Sequence, residues 1–334
     1  MKIRCFIIFI TTILLPYGVF SQTNTPPRYI IRIATEVPAD SSWNNTLRAI
    51  NRELYLATNR EVGLVIYHSG SMGDQNAVLT KMKLGQINAS TFSNSGLQQI
   101  YKDFALVGFP LVISNESEYD IFKEKLTPFF ERKLEENGVV ILAWTETGPI
   151  YVCSKRPVNS IATMQASKPF VLEGDRTSMA LFRHIRNSPR VLQTSDILQS
   201  LSTGLIDTVF APPYGLIAMQ WSSRVNYIAD FPITFMIGAI GIDRDFFRSL
   251  PAQHQQKVRE IFARHFNELT PVIRRDNRAA LESIRNFGIR FLNVDERERN
   301  EFYRVCNEVN LQLIRDEGYS REIYDMLLRT LNKR

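Results

Sequence analysis

Cysteine is almost missing from this 334-residue chain, which has three: Cys5, Cys153 and Cys306. So few thiols exclude a disulfide framework. Histidine is as sparse, at four residues, and His184, His254 and His265 fall on polar or helical stretches with no H-E-x-x-H spacing and no cluster of metal ligands. No metal site is expected. There is no G-x-S-x-G elbow, which leaves His68-Ser69 and Ser71 without the frame a hydrolase needs. The run Gly70-Ser71-Met72-Gly73 matches neither the dinucleotide nor the P-loop fingerprint, reads as a tight turn, and implies no cofactor. Beyond the first 21 residues no apolar run approaches the length of a membrane span. Blocks of one charge sign are also lacking. The formal net charge is +6, but basic and acidic residues alternate, as from Asp295 to Arg299, which is the pattern of a solvated face.

What is present begins with a leader. Lys2 and Arg4 precede an apolar run from Phe6 to Leu15, Pro16 and Gly18 break it, and Val19 and Ser21 stand where a signal peptidase reads. Cleavage after Ser21 and export to the periplasm are expected, with an uncleaved anchor as the alternative. Cys5 precedes the run, so the chain is not a lipoprotein. Export removes nucleic acid as a partner. It also leaves 334 − 21 = 313 residues, room for two domains, with 38 basic residues against 34 acidic ones. Cys153 and Cys306 could pair in an oxidising compartment. Cys306, however, sits on the apolar stripe Phe302, Val305, Val309, Leu313, which favours a buried free thiol.

The chain then says one thing twice. VLTKMKLGQINASTFSNSGL (Val78 to Leu97) and ILQSLSTGLIDTVFAPPYGL (Ile197 to Leu216) pair Val78 with Ile197, Met82 with Leu201, Gly85 with Gly204, Ile87 with Ile206, Asn88 with Asp207 and Leu97 with Leu216. In each copy apolar residues at helical spacing end at a glycine suited to a left-handed cap, and a short strand and a turn follow. Such units deliver loop residues to the carboxyl edge of a sheet, where open α/β sheets bind ligands. Two of them, one in each half, imply a two-lobed protein that closes on a small ligand.

In order, the chain offers strands over Tyr29–Ala34 and Val62–Tyr67, with a helix between them started by Ser41 or Ser42. Asp74 is placed to cap the helix of the first repeat. One helix is expected from about Glu116 to Asn137. Strands Val139–Trp144 and Ile150–Ser154 flank Gly148-Pro149, the first crossing between lobes; Phe235 to Ile242 is the second. A helix of over thirty-five residues follows Pro251 and should kink or break at Pro271. These features divide the chain into residues 28–149 and 236–277 as the first lobe, and residues 150–235 and 278–334 as the second.

ATEVPADSSW (Ala34 to Trp43), YHSGSMGD, KLGQINAST, FPLV (Phe109 to Val112), SKPFVLEGD, TGLIDTVFAPP and the long helix after SLP together resemble the periplasmic substrate-binding proteins of TRAP transporters, over nearly the whole mature chain. The resemblance implies a two-lobed α/β periplasmic binding protein fold, with crossing hinge strands and a long helix spanning both lobes. It also implies delivery of a ligand to membrane permease subunits driven by an ion gradient rather than ATP, and no catalysis. In most of that family the strand equivalent to KPFVL carries an arginine that clamps a carboxylate; here Phe170 stands there. A polar pair usually ending in Asn before a proline aligns with Phe210 and Ala211 before Pro212. The chain looks closer to a divergent branch with hydrophobic clefts, associated with a tetratricopeptide-repeat partner.

A hydrophobic or amphipathic ligand is therefore expected, contacted by Trp43, Met72, Phe92, Phe170, Phe210, Pro212, Tyr214 and Phe235. Asn94, Glu146 and Glu173 are the candidate polar contacts. Arg176 could replace the missing clamp or stay on the surface beside Asp175. For each aromatic the alternative is ordinary core packing. Two other functions compete: a scaffold whose cleft is filled by Phe170, Phe210 and Tyr214, and a hydrolase using Ser71.

Overall fold

The computed structural model describes residues 26–333, so the leader and its cleavage after Ser21 lie outside the described residues. The first lobe opens with β1 (Tyr29–Ala34), α1 (Ser42–Ala57), β2 (Val62–Tyr67), α2 (Gln75–Lys83), β3 (Ala89–Ser93) and α3 (Asn94–Ile100). Ser41 starts α1 by accepting from Asn44 N–H, and the helix buries Leu47, Ile50 and Leu54 at the spacing of one face. A 3-10 segment (Lys102–Gly108), α4 (Glu116–Lys125) and α5 (Thr127–Glu136) complete it. The single helix expected over Glu116–Asn137 is two. Pro128 lacks an N–H and its ring would strike the carbonyl one turn back, so it sits in the first turn of a new helix.

β4 (Val139–Ser154) then runs without interruption into the second lobe. Gly148-Pro149, expected to separate two strands, makes a register shift between Glu146 and Gly148 instead. The second lobe follows with α6 (Ile161–Gln165), β5 (Phe170–Leu172), α7 (Arg176–His184), β6 (Arg190–Leu192), α8 (Ile197–Thr203), β7 (Thr208–Ala211), α9 (Pro213–Ala218) and β8 (Tyr227–Ala229). β9 (Thr234–Asp243) crosses back. Then come α10 (Arg244–Ser249), α11 (Ala252–Asn286), β10 (Arg290–Leu292), α12 (Glu296–Glu317) and α13 (Arg321–Thr330).

In the first lobe β1 lies between β2 and β3, all parallel, while β9 runs antiparallel to both β3 and β4. In the second, the end of β4 lies between β7 and β8, both antiparallel to it; β10 is parallel to β8, and β5 and β6 join through a Pro169–Thr208 bridge. The lobes thus share β4 and β9. α11 also serves both: Val258, Phe262 and Phe266 pack into the first lobe, and Ile284 into the core of the second with Ile197, Leu201 and Ile228. The helix is continuous through Pro271 rather than broken, held by buried Leu269 and Ile273 on either side. α12 packs on α6 and α7. α13, assigned above to the second lobe, packs on the 3-10 segment and α4 of the first, with Tyr324 against Phe109.

Candidate functional site

The two repeats build their sheet edges with the same clasp. Asn88 Oδ1 accepts from Arg32 N–H (2.9 Å) while Asn88 N–H donates to Arg32 O (2.9 Å). At the matching position Asp207 Oδ1 accepts from Lys168 N–H (2.7 Å) and Asp207 N–H donates to Lys168 O (2.9 Å). Gly85 and Gly204, at φ 69° and 76°, adopt the left-handed backbone that lets each helix turn directly into its strand. The strand ends converge as a result. Ser93 of β3 pairs with Gly238, which pairs with Thr145 of β4, and Ala211 of β7 pairs with Tyr151 of β4. The carboxyl end of β7 therefore pairs directly with the 145–151 section of β4, and that of β3 reaches it through β9, one from each lobe.

The expected contact residues divide at this junction. Met72 is half-buried in the loop after β2, beside Thr35, Glu36, Ser90 and Thr91. Half-buried Phe210 stands at the end of β7, Pro212 is buried just before α9, and Tyr214, 48% exposed, lies in the first turn of α9. Glu173 is exposed in the β5–α7 loop and accepts from Gln193 Nε2 (2.6 Å). The others are turned inward. Trp43 packs edge-on to Phe266 of α11 (5.5 Å between centroids). Phe92 lies over Gly241, where a Cβ would come within 2.8 Å of its ring, and Phe235 stacks on Tyr119 (5.5 Å). Phe170, 6% exposed, meets Phe210 (6.3 Å) and Trp221 (6.2 Å), and Phe210 also meets Phe182 (5.8 Å). Asn94 ties β9 to the 3-10 segment, its nitrogen toward Ile237 O (2.7 Å) and its oxygen toward Gly108 N–H (3.1 Å).

Glu146, expected as a polar ligand contact, is fully buried in the hinge strand. Its carboxylate takes two bonds from Arg274 of α11, Nε to Oε1 (2.9 Å) and Nη2 to Oε2 (2.7 Å), and the same guanidinium reaches Asp120 (2.6 and 3.0 Å). Burial pushes the Glu146 carboxyl above the usual range and Arg274 works against that push. Arg274 is itself raised, by hydrogen bonds to Glu146 and Asp120, and two short parallel bonds make the pair ionic. One turn along, Asn277 Nδ2 donates to Thr147 O (2.8 Å) and its Oδ1 accepts from Tyr214 N–H (3.1 Å). One side chain thereby joins the hinge strand to the first turn of α9. Neither Arg274 nor Asn277 was named from the sequence. The available signal was a polar residue on the buried stripe between Ile273 and Ala280.

The first lobe carries a small pocket of about 10 Å³, lined by residues that include Thr35, Glu36, Met72, Gln75, Ser90 and Thr91. Thr91 Oγ1 donates to Thr35 Oγ1 (3.1 Å) and Gln75 Nε2 to Ser93 Oγ (2.8 Å). Glu36 keeps an exposed surface, yet the protein around it desolvates its carboxyl and raises it above the usual range, against hydrogen bonding from Gln75 and with Asp74 adding to the push. Among the described residues no group of His, Cys, Asp and Glu is arranged to hold a metal ion, and no helix is long and apolar enough to cross a membrane.

The family model for bacterial extracellular solute-binding proteins, family 7 (DctP), matches residues 33–316. The C4-dicarboxylate-binding periplasmic protein DctP of Rhodobacter capsulatus is 20% identical over 267 residues, 76% of this chain and 77% of that protein. Solved structures share the fold, among them two with bound ligands. A TRAP periplasmic solute-binding protein from Desulfovibrio salexigens with bound orotic acid superposes with a TM-score of 0.81 at 16% identity, covering 91% of this chain and 99% of that one. Another from Pseudomonas putida F1, with bound D-glucuronate, gives 0.80 at 18% identity, covering 90% and 96%.

Proposed function

Because this chain belongs to family 7 of the bacterial extracellular solute-binding proteins, we propose that it is the periplasmic receptor of a TRAP-type transporter and closes its lobes on a small hydrophobic or amphipathic solute. It then hands that solute to permease subunits in the membrane, which an ion gradient drives. The choice of solute rests on one observation. Phe170 stands where the resemblance expects a clamping arginine, and it is packed against Phe210 and Trp221. A carboxylate drawn out of water with no charged partner costs several kcal/mol by order of magnitude. Each buried side chain's worth of apolar ligand returns roughly 1.5–3 kcal/mol.

An acidic solute is the second reading, favoured by the orotic acid and D-glucuronate bound in the two relatives. It would require Arg176, 71% exposed, to leave Glu317 (2.8 Å) and turn inward. The scaffold alternative loses ground because Phe170, Phe210, Phe182 and Trp221 all belong to the second lobe, and fill that lobe rather than the gap between the two. The hydrolase alternative fares no better: His68 Nδ1 lies 3.3 Å from Ser69 Oγ rather than addressing Ser71. Nothing in the fold or the comparisons supports the tetratricopeptide-repeat partner.

Native mass spectrometry of the protein purified from its own periplasm, followed by calorimetry with whatever co-purifies, tests the choice. An apolar or amphipathic compound is expected, with no heat from D-glucuronate or orotate. Tight binding of either acid that disappears in Arg176→Ala would replace the first reading by the second.

A further inference from the structure

The amino edge of the second-lobe strands carries a pocket of about 360 Å³. It opens where Pro169, Arg190 and Leu205 lead into the mutually parallel β5, β6 and β7. Phe210, Pro212 and Tyr214 stand at the other end of β7, so roughly 15 Å of extended chain separates this pocket from the junction.

The two repeats finish this edge differently. In the first lobe the chain closes it, since Arg32 Nε donates to Gln86 O (2.8 Å) and Nη2 to Gly85 O (3.0 Å). Lys168 takes the place of Arg32 in the second-lobe clasp, but it is exposed and among the described residues its Nζ has no hydrogen-bond partner. Arg186 and Arg190 line the same pocket, are exposed, and pair with no carboxylate among those residues. No acidic side chain lines it. Three cations around one concavity with no counter-charge raise the potential inside it, which an anion relieves.

Neutral groups at the same place are also unspent. The backbone N–H groups of Ser188 and Leu205, both lining residues, have no acceptor among the described residues. Asn187, only 8% exposed, gives its Nδ2 to the carbonyls of Met164 (3.0 Å), Gln165 (2.9 Å) and Ser167 (2.9 Å), while its Oδ1 receives no donor. An amide oxygen on a buried side chain needs a hydrogen that a ligand or water must supply. The complement of this set is an oxyanion that also carries a hydroxyl. Hydrogen phosphate and a glycerol phosphate group supply both, whereas sulfate supplies the charge alone.

We infer that this pocket is a phosphate site separate from the cleft, in which Lys168, Arg186 and Arg190 bind the charged oxygens and Asn187 Oδ1 accepts from the hydroxyl. Free phosphate esters and the head groups of an anionic membrane present the same chemistry. The site stands whichever solute the cleft takes.

Calorimetry of the purified protein with inorganic phosphate, glycerol 3-phosphate and sulfate at fixed ionic strength, paired with sedimentation on phosphatidylglycerol and phosphatidylcholine vesicles, tests it. Phosphate and its glycerol ester should bind about tenfold more tightly than sulfate, a comparison that needs no variant. Arg186→Gln/Arg190→Gln should lower that affinity by about tenfold, whereas Lys125→Gln/Arg329→Gln, which removes the same charge from exposed positions on α4 and α13, should leave it within about twofold. All four side chains are exposed, so both variants should melt with the parent. Binding of glycerol 3-phosphate without recruitment to phosphatidylglycerol vesicles identifies a free ester as the ligand. Recruitment to those vesicles and not to phosphatidylcholine, lost in Arg186→Gln/Arg190→Gln alone, identifies the lipid head group. Sulfate binding as tightly as phosphate, equal losses in the two double variants, or no response to any probe overturns the assignment.

Discussion

Arg274 and Glu146 put the largest stake on single side chains. Glu146 is fully buried and its partner only 17% exposed. Arg274→Ala would strand a carboxylate in the hinge, which by analogy with other buried pairs costs about 3–5 kcal/mol in urea unfolding. Adding Glu146→Leu should recover most of that loss, because the stranded charge is then gone. Glu53 shows the opposite case. Hydrogen bonds from Arg264 and then His265 hold its carboxyl below the usual range, so the folded state binds its proton more weakly than the unfolded chain does. Its contribution is present above the unfolded value of 4.5 and fades as pH falls through the depressed one. Solvent screens this part-exposed pair, so Glu53→Gln should cost only about 0.2–1 kcal/mol at neutral pH. Stability curves of the variant and the parent should converge in acid.

At the scale of elements, α11 governs how the halves meet. Asn277 bonds the hinge strand and the start of α9 at once, and Gly148 makes room for it: the glycine has φ 116°, and a Cβ there would lie 2.5 Å from Asn277 Nδ2. Asn277→Ala leaves Thr147 O and Tyr214 N–H without their partner. It should cost about 1–3 kcal/mol in urea unfolding. Small-angle scattering of the variant should show a larger radius of gyration than the parent, since the second lobe loses its tie to the helix. An unchanged scattering profile beside the stability loss would mean that Asn277 only packs the hinge. Pro271 does not break α11, because burial on both sides of it outweighs one missing hydrogen bond.

For the whole molecule, the two cysteines report on how it is divided. Cys306 lies in the large core that includes α12, and Cys153 in the second-lobe core under α8 and α9; both are free and buried. The pairing left open from the sequence does not occur, since each thiol is enclosed in a different cluster. Burial pushes the Cys306 thiol up to about 12, so its thiolate is scarce at neutral pH. Protein lacking residues 1–21 should react with a thiol reagent only after denaturation. Its melting temperature should be the same with and without reductant.

The local chemistry of the chain was enough to determine the repeated helix-glycine-strand unit, the Asp74 cap, the second crossing strand and the presence of a long helix after Pro251. Each depends on neighbours within a few residues, on periodicity, or on a glycine that must take positive φ. The direction of the aromatic side chains was not legible. Strand alternation separates two faces, but in this mixed sheet both faces carry buried residues, with Phe92 and Phe235 in one core cluster and Ile240 and Ile242 in another. Phe92 and Phe235 therefore read as ligand contacts until Gly241 and Tyr119 were seen to enclose them. Glu146 was legible as a polar contact but not as the partner of an arginine, because Arg274 lies 128 residues further along. Only the tertiary structure could bring that guanidinium to it, since a charge is paired by what folds against it and not by what precedes it in the chain.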